Sequence, residues 1–321
     1  MKTRFVMLSV AVFAFASCTQ LDMQHSENEI RLDAGEGRVS RATGSELEYL
    51  SELGERIGIY GVVTEKTDVG ALLEGDWTET PLMSNVKTTG VDQATGAMSW
   101  TDTYNYPQEG GRQVKFCAYH PYAPVGTQGD NYVSVAAGRA PQLRFTLTGG
   151  EDVMFADPVS GSRVQPASAL NFNHVLTQFN FQLVNADGFF SKSLTGIRFK
   201  GVNTRSAMDM ETGALGAWDA PSDAVAVASF DAPQPITGTK DVPQKVGREV
   251  MLQPGLPSYT VVIEFDNGDE SEIAIKPQGE ATFEAGKSYL ITLKFSGKVV
   301  FLASASVTPW GAGATGGGTL D

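Results

Sequence analysis

At 321 residues the chain is long enough for two ordinary domains, and its 24 Lys and Arg against 37 Asp and Glu give a formal net charge of −13. No cluster of cations offsets the acid excess, which argues against nucleic acid and anionic membrane surfaces, since phosphate contacts need grouped Lys and Arg. Metal and carbohydrate partners stay open on charge alone.

The N-terminus reads as an export signal. Lys2 and Arg4 form a short positive region, residues 5–15 are an unbroken run of apolar and small residues, and Phe15-Ala16-Ser17-Cys18 follows. The run is about half of the roughly 20 residues that a bilayer-spanning helix needs, so it is read as a cleaved segment. The motif is similar to a bacterial lipobox, in which small residues precede a cysteine that takes a diacylglyceryl group, although Phe15 stands where leucine is more usual. Residues 1–17 are expected to be a lipoprotein signal peptide, and Cys18 the lipidated first residue of the mature chain. The alternative is an ordinary signal peptide with an incidental cysteine. With Cys18 acylated, Cys117 is the only other cysteine. An exported protein without an internal disulfide must be held by its core.

Residues 18–45 are polar and acidic with one alternating patch at 29–33, which predicts a tether carrying one weak strand. A short helix is expected over 45–53. After that the pattern is β: residues 57–63, 113–119, 132–136, 142–148, 178–184, 196–200 and 224–230 are short, rich in β-branched or aromatic residues, and bounded by turn formers. The clearest hairpin pairs 259–265 with 271–276 across Asp266-Asn267-Gly268-Asp269, where Asn-Gly suits a tight turn. Many short strands with regular turn signals indicate β-sandwiches. A composition shift at Asn185-Ala186-Asp187-Gly188 predicts a junction there, within roughly ten residues, between a domain over 46–186 and one over 187–321. No repeat of 20 to 50 residues is visible, so solenoids and propellers are not expected.

The catalytic inventory is poor. His25, His120 and His174 are the three histidines, and none lies in an H-E-x-x-H arrangement or beside another metal ligand. His25 falls in the tether, His120 before Pro121 reads as a turn residue, and His174 as a polar group satisfied where a strand starts. Cys117, in an alternating run, reads as a small buried hydrophobe. Gly286-Lys287-Ser288 lacks the earlier glycine and the following helix of a phosphate loop, and reads as a turn into a strand over 289–295. The acidic stretch 266–270 does not fit calcium-loop spacing. Tyr104, Tyr106, Tyr122 and Trp310 would form a sugar-stacking platform if they converged. No metal, no cofactor and no enzymatic activity are expected.

Several segments in series resemble the fimbrillin family, lipoprotein-derived pilus subunits of Bacteroides-type bacteria (type V pili). They are residues 115–121, 152–156, 172–183, 250–254, 285–295 and 305–310, the last being Ala305-Ser306-Val307-Thr308-Pro309-Trp310 followed by glycines. Phe172, Leu176, Phe179, Phe181 and Leu183 are expected to seal the first domain. The resemblance implies an all-β protein of two tandem transthyretin-like β-sandwich domains behind the signal peptide and the lipidated segment. It implies a subunit carried to the outer membrane by lipid on Cys18, cut by an Arg-specific protease, and assembled with other fimbrial subunits by donor-strand exchange for surface adhesion. Arg41 best matches the cleavage position and Arg38 is second; both could instead be plain linker arginines. The Gly-rich residues 311–321 are a poor donor strand, so donation would need residues 298–308 to swing out, or the chain is a tip or accessory subunit. Its partners would then be further subunits and a host or bacterial surface ligand. The alternative function is a monomeric, surface-exposed lipoprotein that binds glycans.

Overall fold

The computed structural model describes residues 28–36, 56–65, 77, 81–109, 111–297, 299–308 and 310. Among them there is no α-helix, as the sequence pattern predicts. The first half contains β1 (Ala34–Glu36), β2 (Gly58–Glu65), β3 (Pro81–Lys87), β4 (Gly90–Val91), β5 (Met98–Ser99), β6 (Arg112–His120), β7 (Tyr132–Ser134), β8 (Gln142–Thr146), β9 (Met154–Gly161) and β10 (Leu170–His174). The second contains β11 (Thr177–Asn185), β12 (Ser193–Lys200), β13 (Val202–Asp209), β14 (Asp219–Ser222), β15 (Val225–Pro235), β16 (Gln244–Leu252), β17 (Tyr259–Phe265), β18 (Glu270–Ile275), β19 (Ser288–Ser296) and β20 (Val299–Thr308). Each strand expected from the pattern has a counterpart, while β3, β4, β5, β9, β10, β13, β14 and β16 lie outside the expected set.

A six-stranded sheet, ordered β1-β10-β9-β6-β2-β3, forms the centre of the first half. Both of its faces are buried. Val114, Phe116 and Ala118 of β6 enter one core with Ile57, Ile59, Met83, Leu170 and Phe172. Cys117 and Tyr119, on the opposite side of the pleat, enter another with Tyr60, Leu143, Phe145 and Met208. A strand covered on both sides loses polar alternation, which is why residues 116–119 of β6 are apolar and buried without a break. The second face is covered by a four-stranded sheet, β14-β13-β8-β7.

The second half is a sandwich of β16-β11-β19-β20 on β15-β12-β17-β18. Aromatic side chains dominate its core: the Phe179 ring lies 4.9 Å from Phe283, 5.1 Å from Tyr259 and 5.2 Å from Phe199. Offset and edge-on ring pairs of this kind add stabilisation beyond area burial. The β17–β18 hairpin forms as expected, though positive φ falls on Gly268 and not on Asn267.

Sheet membership does not follow the expected junction at 185–188. β11 precedes it yet pairs with β16 and β19 of the second sandwich. β13 and β14 follow it, yet β13 pairs with β8. The expectation that one apolar run seals the first domain is corrected: Phe172 enters the first core, Leu176 the second, and Phe179, Phe181 and Leu183 the aromatic one. The composition shift marks a turn inside the second sandwich, where the Asn185 amide N–H donates to Gly238 O and its side chain to Phe190 O.

Candidate functional site

The most unusual construction is at the start of the described chain. Residues 28–36 run between two partners. On one side the Ile30 N–H donates to Tyr104 O (2.8 Å), Met98 N–H to Leu32 O (3.0 Å), Ala34 N–H to Gly96 O (2.8 Å), and Tyr106 N–H to Asn28 O (2.9 Å). On the other, β1 lies parallel to β10, and Leu170 N–H donates to Asp33 O at 2.8 Å. The segment has the strand period of two: Ile30, Leu32 and Ala34 are 1%, 1% and 5% exposed, while Arg31 and Asp33 face solvent. These side chains pack among Ile59, Met98, Tyr106, Phe116 and Phe172. Gly35 lies close to β10: a Cβ there would stand 2.4 Å from Asn171 Oδ1 and 3.1 Å from Ala169 Cβ, so any side chain would displace the Asn171 amide.

The weak strand expected at 29–33 is thus part of a longer seated segment, with β1 at its C-terminal end. Cys18, Arg38, Arg41, His25, the short helix expected at 45–53 and the glycine-rich tail lie outside the described residues. Arg38 follows the last residue of β1 by two positions.

A second construction joins residues that are far apart in sequence. His120 ends β6 and His174 ends β10, and both rings meet Asp152. His120 Nδ1–H donates to the Asp152 carbonyl (2.6 Å), and His174 Nδ1 lies 3.0 and 2.8 Å from the two carboxylate oxygens. Trp310 stacks on His174, with ring centroids 4.1 Å apart at 22°. All four side chains are buried. Burial pushes the His120 imidazole below its ordinary value, Arg56 and His174 push the same way, and Asp152 opposes them. The sequence offered no signal for this cluster, because 32, 22 and 136 positions separate its members in turn.

The other sequence candidates resolve as structure. Cys117 is buried, and desolvation raises its thiol to about 12, so it carries no thiolate at neutral pH. Gly286-Lys287-Ser288 turns into β19, with Lys287 paired to Glu280 and Glu284. The aromatic platform is not formed: Tyr106 and Trp310 are 3% and 4% exposed and belong to different cores. Among the described residues no group of three His, Cys, Asp or Glu is placed to hold a metal.

The protein is all-β, and its first core is completed by side chains from residues 28–36, ahead of every other described strand that surrounds them. Comparison with known families matches residues 40–310 to the fimbrillin-like family, and the chain belongs to that family. Membership places it among proteins of cell-surface fimbriae. Among solved structures it is similar to a putative cell adhesion protein from Bacteroides uniformis, with 19% identity and a TM-score of 0.55 over 88% of this chain and 99% of that one. It is also similar to a putative cell adhesion protein from Bacteroides ovatus, with 16% identity and a TM-score of 0.50 over 88% of this chain and 96% of that one. No curated protein matches it by sequence.

Proposed function

We propose that this protein is a fimbrial subunit, exported as an outer-membrane lipoprotein through Cys18, whose N-terminal strand is a removable filler of the first core. The observation that carries the reading is the seating of residues 28–36, bonded on both flanks and buried on alternate side chains, directly ahead of Arg38 and Arg41. A cut after Arg41 separates β1 from β2 and touches neither strand. Burying a large aliphatic side chain contributes about 1.5 to 3 kcal/mol, so Ile30 and Leu32 supply several kcal/mol that the first core loses when the filler leaves. The emptied groove then gains by taking a strand of the same period from another subunit, through backbone hydrogen bonds and side-chain pockets.

On this reading β20 stays in place during assembly. It pairs with β19 along its length, and the chain after it buries Trp310 against His174. The subunit therefore acts as an acceptor and serves adhesion at the cell surface.

Treating the purified full chain with an Arg-specific protease tests the proposal. A stable product beginning at Ala42, or at Val39 for a cut at Arg38, is expected, and as an acceptor it stays monomeric until a donor strand is supplied. Failure to yield such a product sinks the proposal. Mass spectrometry of the native N-terminus separates acyl-Cys18 from Ala42 as the mature start.

A further inference from the structure

The outward face of the β14-β13-β8-β7 sheet carries a cleft of about 510 Å³, walled in part by Arg139, Gln142, Arg144, Asp209 and Asp219, with Ala207 as a small floor. A recess of about 80 Å³ shares Arg144 and Asp219 with it and adds Tyr132, Arg205 and Asp130. The register explains the grouping. Arg144 stands opposite Tyr132 on one side and Ala207 on the other, and Arg205 opposite Thr146 and Asp219. Leu143, Phe145 and Met208 turn inward to the core, so the polar row between them faces out.

Several cations among the described residues are paired with carboxylates, as Lys115 is with Glu211, Lys192 with Asp269 and Arg198 with Glu264. In the cleft the pairing is absent or loose. Arg139 and Arg144 are exposed and form no ion pair among the described residues. Arg205 stands 3.9 Å from Asp219 with both side chains largely in solvent, an arrangement that holds neither tightly. Asp209 is already engaged, accepting from the Thr212 N–H and hydroxyl and from the Glu211 N–H.

We propose that this cleft binds a carboxylate-bearing sugar. Guanidinium groups match a carboxylate with two parallel hydrogen bonds, which Arg144 and Arg139 are free to make. The Tyr132 ring beside Arg144 offers an apolar face for a pyranose. The Gln142 amide and the Asp130 and Asp219 carboxylates accept from or bridge hydroxyl groups. Those same carboxylates repel a bare phosphate, which brings charge without hydroxyls to satisfy them. The six-stranded sheet lies between the cleft and the core that residues 28–36 fill, so the site stays open whether or not the groove is exchanged. The inference is independent of the assembly reading.

Titration calorimetry on the full chain provides the test, with sialyllactose and digalacturonate as acidic probes, lactose as the neutral sugar and inorganic phosphate as the bare anion. Binding of at least one acidic sugar, with lactose and phosphate silent, is expected. Arg144→Gln and Arg139→Gln should each weaken it about tenfold, the scale of one lost charge-assisted contact. Arg163→Gln, which lines a different cleft, should leave it unchanged. Both cleft arginines are exposed, so the melting temperature should hold in each variant. The proposal is overturned if neither acidic sugar binds at millimolar concentration, if lactose or phosphate binds as well, or if the double Arg139→Gln, Arg144→Gln variant keeps its affinity.

Discussion

The second sandwich buries its aromatic core with strands drawn from one stretch of chain, Thr177 to Thr308, whereas the first core depends on side chains from residues 28–36, ahead of every other strand that surrounds them. Phe179, Phe199, Tyr259, Phe283 and Tyr289 hold one another by ring contacts. Ile30, Leu32 and Ala34 sit between Met98 and Tyr106 on one side and Leu170 and Phe172 on the other, with no ring of their own. The difference lies in connectivity more than in hydrophobicity. Both cores are fully buried, yet a single backbone cut between β1 and β2 detaches the filler of the first from every strand it packs against.

Core truncations put that contrast at risk. Phe179→Ala should have the largest effect, a loss of about 3 to 5 kcal/mol, because it removes the ring that four aromatic neighbours share. Denaturant titration should show the whole second sandwich unfolding earlier. Leu32→Ala should cost about 2 to 5 kcal/mol, toward the low end because the segment is peripheral in sequence and free to relax. Hydrogen exchange should then quicken at the Ile30, Met98 and Leu170 amides, which bond across the seated segment, and stay slow at Val261 and Ile291 in the second core. Equal acceleration in both cores would erase the distinction and with it the case for an independently openable groove.

Much of the fold was legible because most strands are short, alternating and bounded by turn residues. The strands that escaped are those whose local rule is broken by a tertiary contact. β9 contains Pro158, which argues against a central strand, yet it lies between β10 and β6. The ladder tolerates it because the register slips there: Phe116 faces Val159 and Ala118 faces Ala156, leaving Asp157 and Pro158 in a bulge. β16 contains Gly247 at φ +72, where the ladder with β11 slips between Phe179 and Phe181. A Cβ at 247 would stand 2.4 Å from Val227 O, so only glycine permits the approach. The candidate site was half legible. The alternation at 29–33 was visible before the structure, whereas its place beside 96–106 and β10, the His120–Asp152–His174–Trp310 cluster and the arginine cleft depend on residues that only the sheet topology brings together.

The His120 cluster is one place where the two halves meet, since Trp310 follows β20 of the second sandwich and stacks on His174 of the first. It gives the smallest of the expected effects and the most specific one. Nδ1–H of His120 is committed to the Asp152 carbonyl, so a second proton must go on Nε2, which is buried and has no hydrogen-bond partner. Protonation is therefore resisted in the folded chain, and the folded value lies below the unfolded one. The unfolded chain takes up the proton first on acidification, so this contribution is fully present above about pH 6.5, falls below it by at most about 1.4 kcal/mol per pH unit, and levels off at the folded value. Melting curves from about pH 7.5 down to about pH 5 should show the wild type losing stability more steeply than His120→Gln, because the variant keeps a donor toward Asp152 but takes up no proton. Parallel slopes would mean that His120 does not couple acid to the joint between the halves, leaving the carboxylates to account for any acid sensitivity.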